Sequence, residues 1–185
     1  FDAREWARQA KAAGMKYAVL TTKHHEGFCM WDTQYTDYKC TNTPAGRDLV
    51  REYVDAFRAE GLHVGFYYSL IDWHHPEFPI DRLHPRRDDP DAEEQSRGRD
   101  VHKYAEYMRN QVTELLTNYG KIDVLWFDFS YSAPDPQDKP WMKGKGKEDW
   151  EAEELLALAR RLQPGIIIDN RTEIEQDIWT PEQFQ

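Results

Sequence analysis

The sequence predicts an α/β fold, and specifically a partial (β/α)8 barrel of the TIM type. Amphipathic helical patterns alternate four times with short apolar segments, which is typical of βα units around a parallel sheet. Each apolar segment ends in polar side chains, and barrel enzymes carry their chemistry at the carboxyl ends of their strands. No glycine-rich phosphate loop follows any of these segments, which disfavours a dinucleotide-binding sheet.

The first half of the chain predicts two helix–strand units. Residues 2–13 place Trp and Ala at helical spacing after an Asp that can cap the helix, and an apolar strand follows at residues 17–25. A second helix at residues 48–61 starts at an Asp, ends at a Gly, and leads to a strand at residues 63–69. Both strands become polar at their carboxyl ends.

The second half predicts two more units, separated by long loops. Its predicted elements are helix 101–119, strand 122–129, helix 149–162 and strand 166–171. The loops at residues 72–99 and 132–147 are rich in Pro and charged residues and show no periodicity. Loops of this length inside a compact domain are usually functional or mobile, and the second is predicted to be exposed and flexible.

The strand at residues 122–129 carries the main catalytic candidate, Asp128. Alternation along the strand places Val124, Trp126 and Asp128 on one face and the intervening apolar residues on the other. In a barrel, Trp126 and Asp128 would share the inner face at the carboxyl end. The alternative, that Asp128 only caps the next turn, fits this strand equally well.

The other strands also end in groups capable of chemistry, namely His24 and His25, Tyr68, and Asn170 with Arg171. Adjacent histidines point to opposite faces of a strand unless the strand bends there. They lack the His-x-His spacing typical of barrel metallohydrolases. The sequence therefore predicts neither a metal nor another cofactor.

Hydrolysis of a glycosidic bond needs two carboxyl groups, and Asp128 supplies one candidate. The candidates for the second are Glu26, Asp169, Glu173, Glu175, Asp177 and Glu182. All of them lie near strand ends or in the loops that follow, and their spacing does not rank them.

The composition excludes several classes of partner. The net charge is −10 and the pI is about 5.2, which argues against nucleic acid and against anionic membrane surfaces. No apolar stretch approaches the roughly 18 residues of a membrane span. The two cysteines, Cys29 and Cys40, could pair or stay free.

Several segments together resemble glycoside hydrolase family 29, the retaining α-L-fucosidases. The segments that carry the resemblance are Lys23-His24-His25-Glu26-Gly27-Phe28, Tyr67-Tyr68-Ser69, Trp126-Phe127-Asp128, Asn170-Arg171 and Thr180-Pro181-Glu182. They occur in the family's order and span nearly the whole chain. The resemblance implies that residues 1–185 are part of one glycosidase catalytic barrel domain, without its first strand or strands and its C-terminal strands.

The resemblance also implies roles for individual residues. Asp128 would be the nucleophile, and Glu182 the general acid/base, with Glu173 and Glu175 as alternatives. In retaining enzymes the two carboxyl groups lie about 5–5.5 Å apart. The residues expected to bind the sugar are His24, His25, Tyr68, Trp126 and Arg171.

The expected function is hydrolysis of terminal α-L-fucosyl residues by double displacement, with a fucosylated glycan as the partner. One alternative is a metal-dependent barrel hydrolase that uses His24, His25 and Asp128. Another is a non-catalytic fucose-binding relative. The family is compatible with a secreted, periplasmic or lysosomal location, and the sequence fixes neither the compartment, the linkage cleaved nor the oligomeric state.

Overall fold

A computed structural model describes residues 1–181 and has an α/β architecture with a parallel sheet at its centre. The strands are β1 (Tyr17–Lys23), β2 (His63–Ser69), β3 (Val124–Asp128) and β4 (Ile167–Ile168). They lie side by side in the order β1-β2-β3-β4, and each pair is parallel. Neighbours in the sheet are therefore neighbours in the chain, and all carboxyl ends meet at one edge.

Helices connect the strands, as the alternating pattern predicts. They are α1 (Ala3–Ala12), α2 (Leu49–Ala59), α3 (Ala92–Arg97), α4 (Val101–Asn118) and α5 (Ala152–Leu162), with a 3-10 turn at Cys40–Asn42. Asp2, Asp48 and Asp100 cap α1, α2 and α4, because each carboxylate accepts a hydrogen bond from a first-turn amide. The caps fix where these helices begin.

The two faces of the sheet differ in burial. Phe66, Leu125 and Phe127 are fully buried on the face that packs against the helices. On the opposite face, 56% of Tyr17 and 42% of Ile167 is exposed. The hydrophobic core thus lies between the sheet and the helices, and the other face leaves apolar side chains accessible.

The predicted helices and strands are confirmed, with two differences. Residues 92–97 form the short helix α3 inside the region predicted as an irregular loop. Strand β4 has only two residues, where residues 166–171 were predicted. The pattern of apolar residues could not reveal this early end, because it depends on a hydrogen bond from the Phe127 amide to the Asp169 side chain.

The two long loops are joined by a buried cluster, which we call the loop clasp and define as Asp81, Tyr131 and Lys145. Lys145 forms an ion pair with Asp81, and both side chains are almost completely buried. The Tyr131 hydroxyl donates to the same Asp81 oxygen. The prediction that the second loop is exposed along its length is therefore wrong at Lys145, because this lysine has a buried acidic partner in the first loop.

Both cysteines are free thiols and are buried. Among residues 1–181, no helix combines the length and the apolar character needed to cross a bilayer.

Candidate active site

Strand β1 ends in an irregularity that organises one side of the site. The pairing of β1 with β2 shifts between Thr21 and Lys23, so that Lys23 pairs with Tyr68. Lys23 is consequently directed into the core, where its Nζ lies 3.1 Å from Asp72 Oδ2 and 3.2 Å from the Tyr104 hydroxyl. A fully buried lysine of this kind requires a partner, and Asp72 provides it.

The same bend brings the two histidines together. The His24 and His25 rings are stacked with centroids 4.0 Å apart. His25 Nδ1 lies 2.6 Å from Ser69 Oγ at the end of β2, and the His25 ring makes edge contacts with Trp73 and Phe129. The two histidines therefore share one side because the regular strand has already ended at Lys23.

Burial lowers the pKa of His25 to about 4, and the neighbouring His24 contributes in the same direction. We expect His25 to be a neutral imidazole at neutral pH. Its folded-state value lies below its ordinary value of 6.5, so the unfolded chain takes up a proton first as the pH falls. Its contribution to stability is thus complete above 6.5 and is lost as the pH falls towards 4. Imidazole NMR of the intact protein measures this titration, and a midpoint near the ordinary value would contradict the expectation.

Asp128 lies at the carboxyl end of β3, between a hydroxyl and a guanidinium. The Tyr67 hydroxyl donates to Asp128 Oδ2 over 2.6 Å, and Arg171 Nε lies 4.0 Å from Asp128 Oδ1. Burial and the carboxylate both raise the pKa of Tyr67 far above its ordinary value, so the hydroxyl remains a donor. One oxygen of Asp128 is held by Tyr67, and the other faces a positive charge.

The position of Tyr68 contradicts the prediction that it lines this site. Tyr68 is fully buried on the helix-covered face, and its hydroxyl donates to Gln111 Oε1 over 2.7 Å. Adjacent residues of β2 point to opposite faces, so Tyr67 borders Asp128 instead. The register could have shown this, because Tyr67 pairs with Trp126 and Ser69 pairs with Asp128.

Trp126 shares a face with Asp128, as alternation predicts, but it lies one step further from the edge. Its half-buried side chain borders an open cavity together with Tyr17, Val124 and Ile167. This cavity lies on the exposed apolar face of the sheet. Trp126 therefore lies between the exposed apolar face and the edge of the sheet that carries Asp128.

Residues after β4 hold the far side of the site. Arg171 Nε donates to Thr180 Oγ1 over 3.0 Å, and Asn170 Oδ1 accepts from the Thr180 amide over 2.9 Å. Thr180 is thereby fixed beside Arg171, the residue whose guanidinium faces Asp128. Glu182, the predicted general acid/base, lies outside the described residues.

Glu173, one alternative to Glu182, is engaged in a different contact. Its Oε1 accepts from the Ser132 hydroxyl over 2.7 Å, and its Oε2 accepts from the Lys147 amide over 3.2 Å. It therefore holds the ends of the loop at residues 132–147. Glu175, the other alternative, is exposed. Among residues 1–181, no cluster of three or more His, Cys, Asp or Glu side chains is arranged to hold a metal ion.

A family model described as Alpha-L-fucosidase matches residues 1–185. The chain belongs to the alpha-L-fucosidase family. The resemblance seen in the sequence is thereby confirmed, and its described segments lie at the strand ends that surround Asp128.

Individual alpha-L-fucosidases are similar over most of the chain. A putative alpha-L-fucosidase 1 of Oryza sativa subsp. japonica is 34% identical over 171 residues, which cover 90% of this chain and 27% of that protein. The human tissue alpha-L-fucosidase is 32% identical over 136 residues, or 73% of this chain and 26% of that protein. The chain thus spans about a quarter of the length of these relatives.

Solved alpha-L-fucosidase structures share the fold. Isoenzyme 1 from Paenibacillus thiaminolyticus superimposes with a TM-score of 0.83 at 59% identity, covering 93% of this chain and 38% of that one. A family 29 enzyme from Bacteroides thetaiotaomicron has a TM-score of 0.73 at 35% identity, covering 96% and 36%. That structure is a trapped covalent intermediate with 2-fluoro-fucosyl fluoride, obtained with a glutamate-to-glutamine mutant.

Proposed function

We propose that the intact protein hydrolyses terminal α-L-fucosyl residues of glycans with retention of configuration. The observation that carries this proposal is the arrangement at Asp128, where Tyr67 orients one carboxylate oxygen and Arg171 faces the other. A carboxyl group held in a fixed orientation at the carboxyl end of a strand is what a glycosidase nucleophile requires. Family membership and the covalent intermediate of the Bacteroides relative support it.

The proposed reaction has two displacements. An Asp128 oxygen attacks the anomeric carbon of the fucosyl group, and the bond to the leaving oxygen breaks while Glu182 gives that oxygen a proton. Water then attacks the same carbon and loses a proton to Glu182, and the bond to Asp128 breaks to release fucose. The second carboxyl group is proposed to be Glu182 rather than Glu173, since both oxygens of Glu173 accept loop hydrogen bonds.

The histidines are proposed to bind sugar hydroxyls. Neutral His25 uses Nδ1 towards Ser69, which leaves Nε2 for a hydroxyl of the sugar. His24 is half exposed and stacks between His25 and Tyr67. Trp126 and Arg171 would complete the pocket from β3 and from the end of β4.

We also propose that residues 1–185 are part of a single (β/α)8 barrel domain that includes strands outside this chain. The sequential parallel order and the exposed apolar side chains of Tyr17 and Ile167 support this, because further strands would bury that face. The family match does not favour a metal-dependent hydrolase or a non-catalytic binding protein.

Hydrolysis of an aryl α-L-fucoside by the intact protein tests the function. We expect turnover that survives treatment with a chelator, and NMR should show α-L-fucose as the first product before mutarotation. Release of β-L-fucose first would contradict retention. Absence of hydrolysis with retained fucose binding would contradict the enzymatic assignment.

The Tyr67→Phe variant is expected to lower kcat about tenfold or more. A hydrogen bond to a charged group contributes about 1.5–3 kcal/mol, and loss of the hydroxyl would leave Asp128 Oδ2 without its donor. The matched control is Tyr68→Phe, which removes a hydroxyl on the opposite face and should lower the melting temperature without changing kcat. Steady-state kinetics of both variants with the aryl fucoside makes the comparison. Equal kcat values for the two variants would contradict the role of Tyr67.

A further inference from the structure

The ladder between β3 and β4 ends in an unusual contact. Backbone pairing stops at Leu125 and Ile168, and the next residue, Asp169, continues the contact with its side chain. Asp169 Oδ1 accepts a hydrogen bond from the Phe127 amide over 3.0 Å. On the β4 side, the backbone directly before Asp128 is therefore held by a carboxyl group, while its other side still pairs with β2.

Asp169 is also placed where ionisation is unfavourable. The residue is fully buried, and its Oδ2 finds no hydrogen-bond partner among residues 1–181, although the Arg171 amide acts on the carboxyl group and lowers its pKa. The charged groups that act on it from the surrounding described elements are Asp128 on β3 and Arg171 after β4, which oppose each other. A buried carboxylate with one unsatisfied oxygen carries a large desolvation cost, which a proton on that oxygen removes.

We propose that Asp169 is a positioning residue for Asp128: its Oδ1 holds the Phe127 amide, and its Oδ2 carries a proton while Asp128 is ionised. The assignment rests on the proposed function, since it takes Asp128 as the nucleophile. A neutral acid at this place fixes the nucleophile's backbone without adding a second negative charge beside it. Burial, assisted by the charge of Asp128, raises the pKa of Asp169 to about 7, in agreement with this arrangement.

Kinetics of substituted intact protein test the positioning role. Asp169→Ala leaves the buried Phe127 amide without an acceptor, so the backbone before Asp128 should shift and kcat should fall about 10- to 100-fold with little change in KM. Asp169→Asn keeps an oxygen acceptor and no charge, and its kcat should stay within about threefold of the wild type. The matched control is Asp177→Ala, because Asp177 holds the Ile168 amide on the other edge of β4. This control should lower stability and leave kcat unchanged.

Two kinetic outcomes would overturn the proposal. One is a wild-type kcat in Asp169→Ala, which would show that the contact does not position the nucleophile. The other is an Asn variant as impaired as the Ala variant, which would show that the charge of Asp169 is needed. If the Ala variant does not fold, the kcat of the Asn variant and the titration of Asp169 still test the proposal.

A titration that does not depend on activity tests whether Asp169 carries a proton. Carboxyl ¹³C NMR should give Asp169 a midpoint near 7, and Asp128→Asn should move that midpoint to lower pH by removing the neighbouring charge. An ordinary acidic midpoint in the wild type, or no shift in the variant, would overturn the proposal. If the wild-type protein shows this coupling between Asp169 and Asp128 but does not hydrolyse fucosides, the proposed function is refuted and the protonation of Asp169 is not.

Discussion

Replacing Asp128 with glycine in the intact protein is expected to abolish turnover of α-L-fucosides, with a loss of about 10⁴-fold or more in kcat. The loss should be large because the proposed covalent step depends on this carboxylate. Among residues 1–181, Asp128 is the carboxylate that both Tyr67 and Arg171 approach. The fold should persist, since Asp128 is partly exposed at a strand end and not part of the core.

Added azide should restore a reaction in the Asp128→Gly variant, which gives a gain of product to measure. Glycine opens space on the face where Asp128 stood, so azide should attack there and yield β-L-fucosyl azide from an activated α-L-fucoside. The matched control is Asp123→Asn, at the opposite end of β3, where the carboxylate accepts from the Val64 amide. Control activity should be near that of the wild type. Undiminished activity of Asp128→Gly would refute the nucleophile assignment.

Replacing Glu182 with alanine is expected to reduce hydrolysis selectively. General acid catalysis contributes about 10²- to 10⁴-fold, and only a poor leaving group requires the proton. Natural fucosides should therefore lose activity by that factor, while an activated aryl fucoside should form the fucosyl-enzyme almost normally. Comparing kcat/KM for the two substrate classes measures the difference.

The alternatives to Glu182 serve as controls for this experiment. Glu173→Gln disturbs the contacts with Ser132 and Lys147, so we expect lower stability and an equal effect on both substrate classes. Glu175→Gln changes an exposed side chain and should have little effect. Selectivity for leaving group in either of these variants, and not in the Glu182 variant, would reassign the general acid.

The sequence predicted the parallel sheet and the edge at which its polar strand ends meet, because both depend on patterns along single elements. Alternating apolar residues give the strands, and parallel strands bring their carboxyl ends together wherever short helical connections separate them. The position of Asp128 at the end of a strand was predicted in this way. Its position on the same face as Trp126 also followed from alternation alone.

Features that depend on contacts between elements were not predictable in the same way. Tyr67 and Tyr68 are equally suited to a strand, and only the register with β3 shows that Tyr67 is the neighbour of Asp128. The stacked histidines require the irregularity at Lys23, which is stabilised by Asp72 on a distant loop. Strand β4 ends early because the side chain of Asp169, and not its backbone, accepts the next hydrogen bond from β3, at the Phe127 amide.

The loop clasp couples two loops that could otherwise vary independently between relatives. The loops at residues 72–99 and 132–147 follow neighbouring strands, and they share one buried ion pair between Asp81 and Lys145. Grafting either loop alone from a relative would leave a charged group unpaired in the interior. Exchange of the two loops as one unit avoids that penalty, so chimaeras with relatives are best built from the pair.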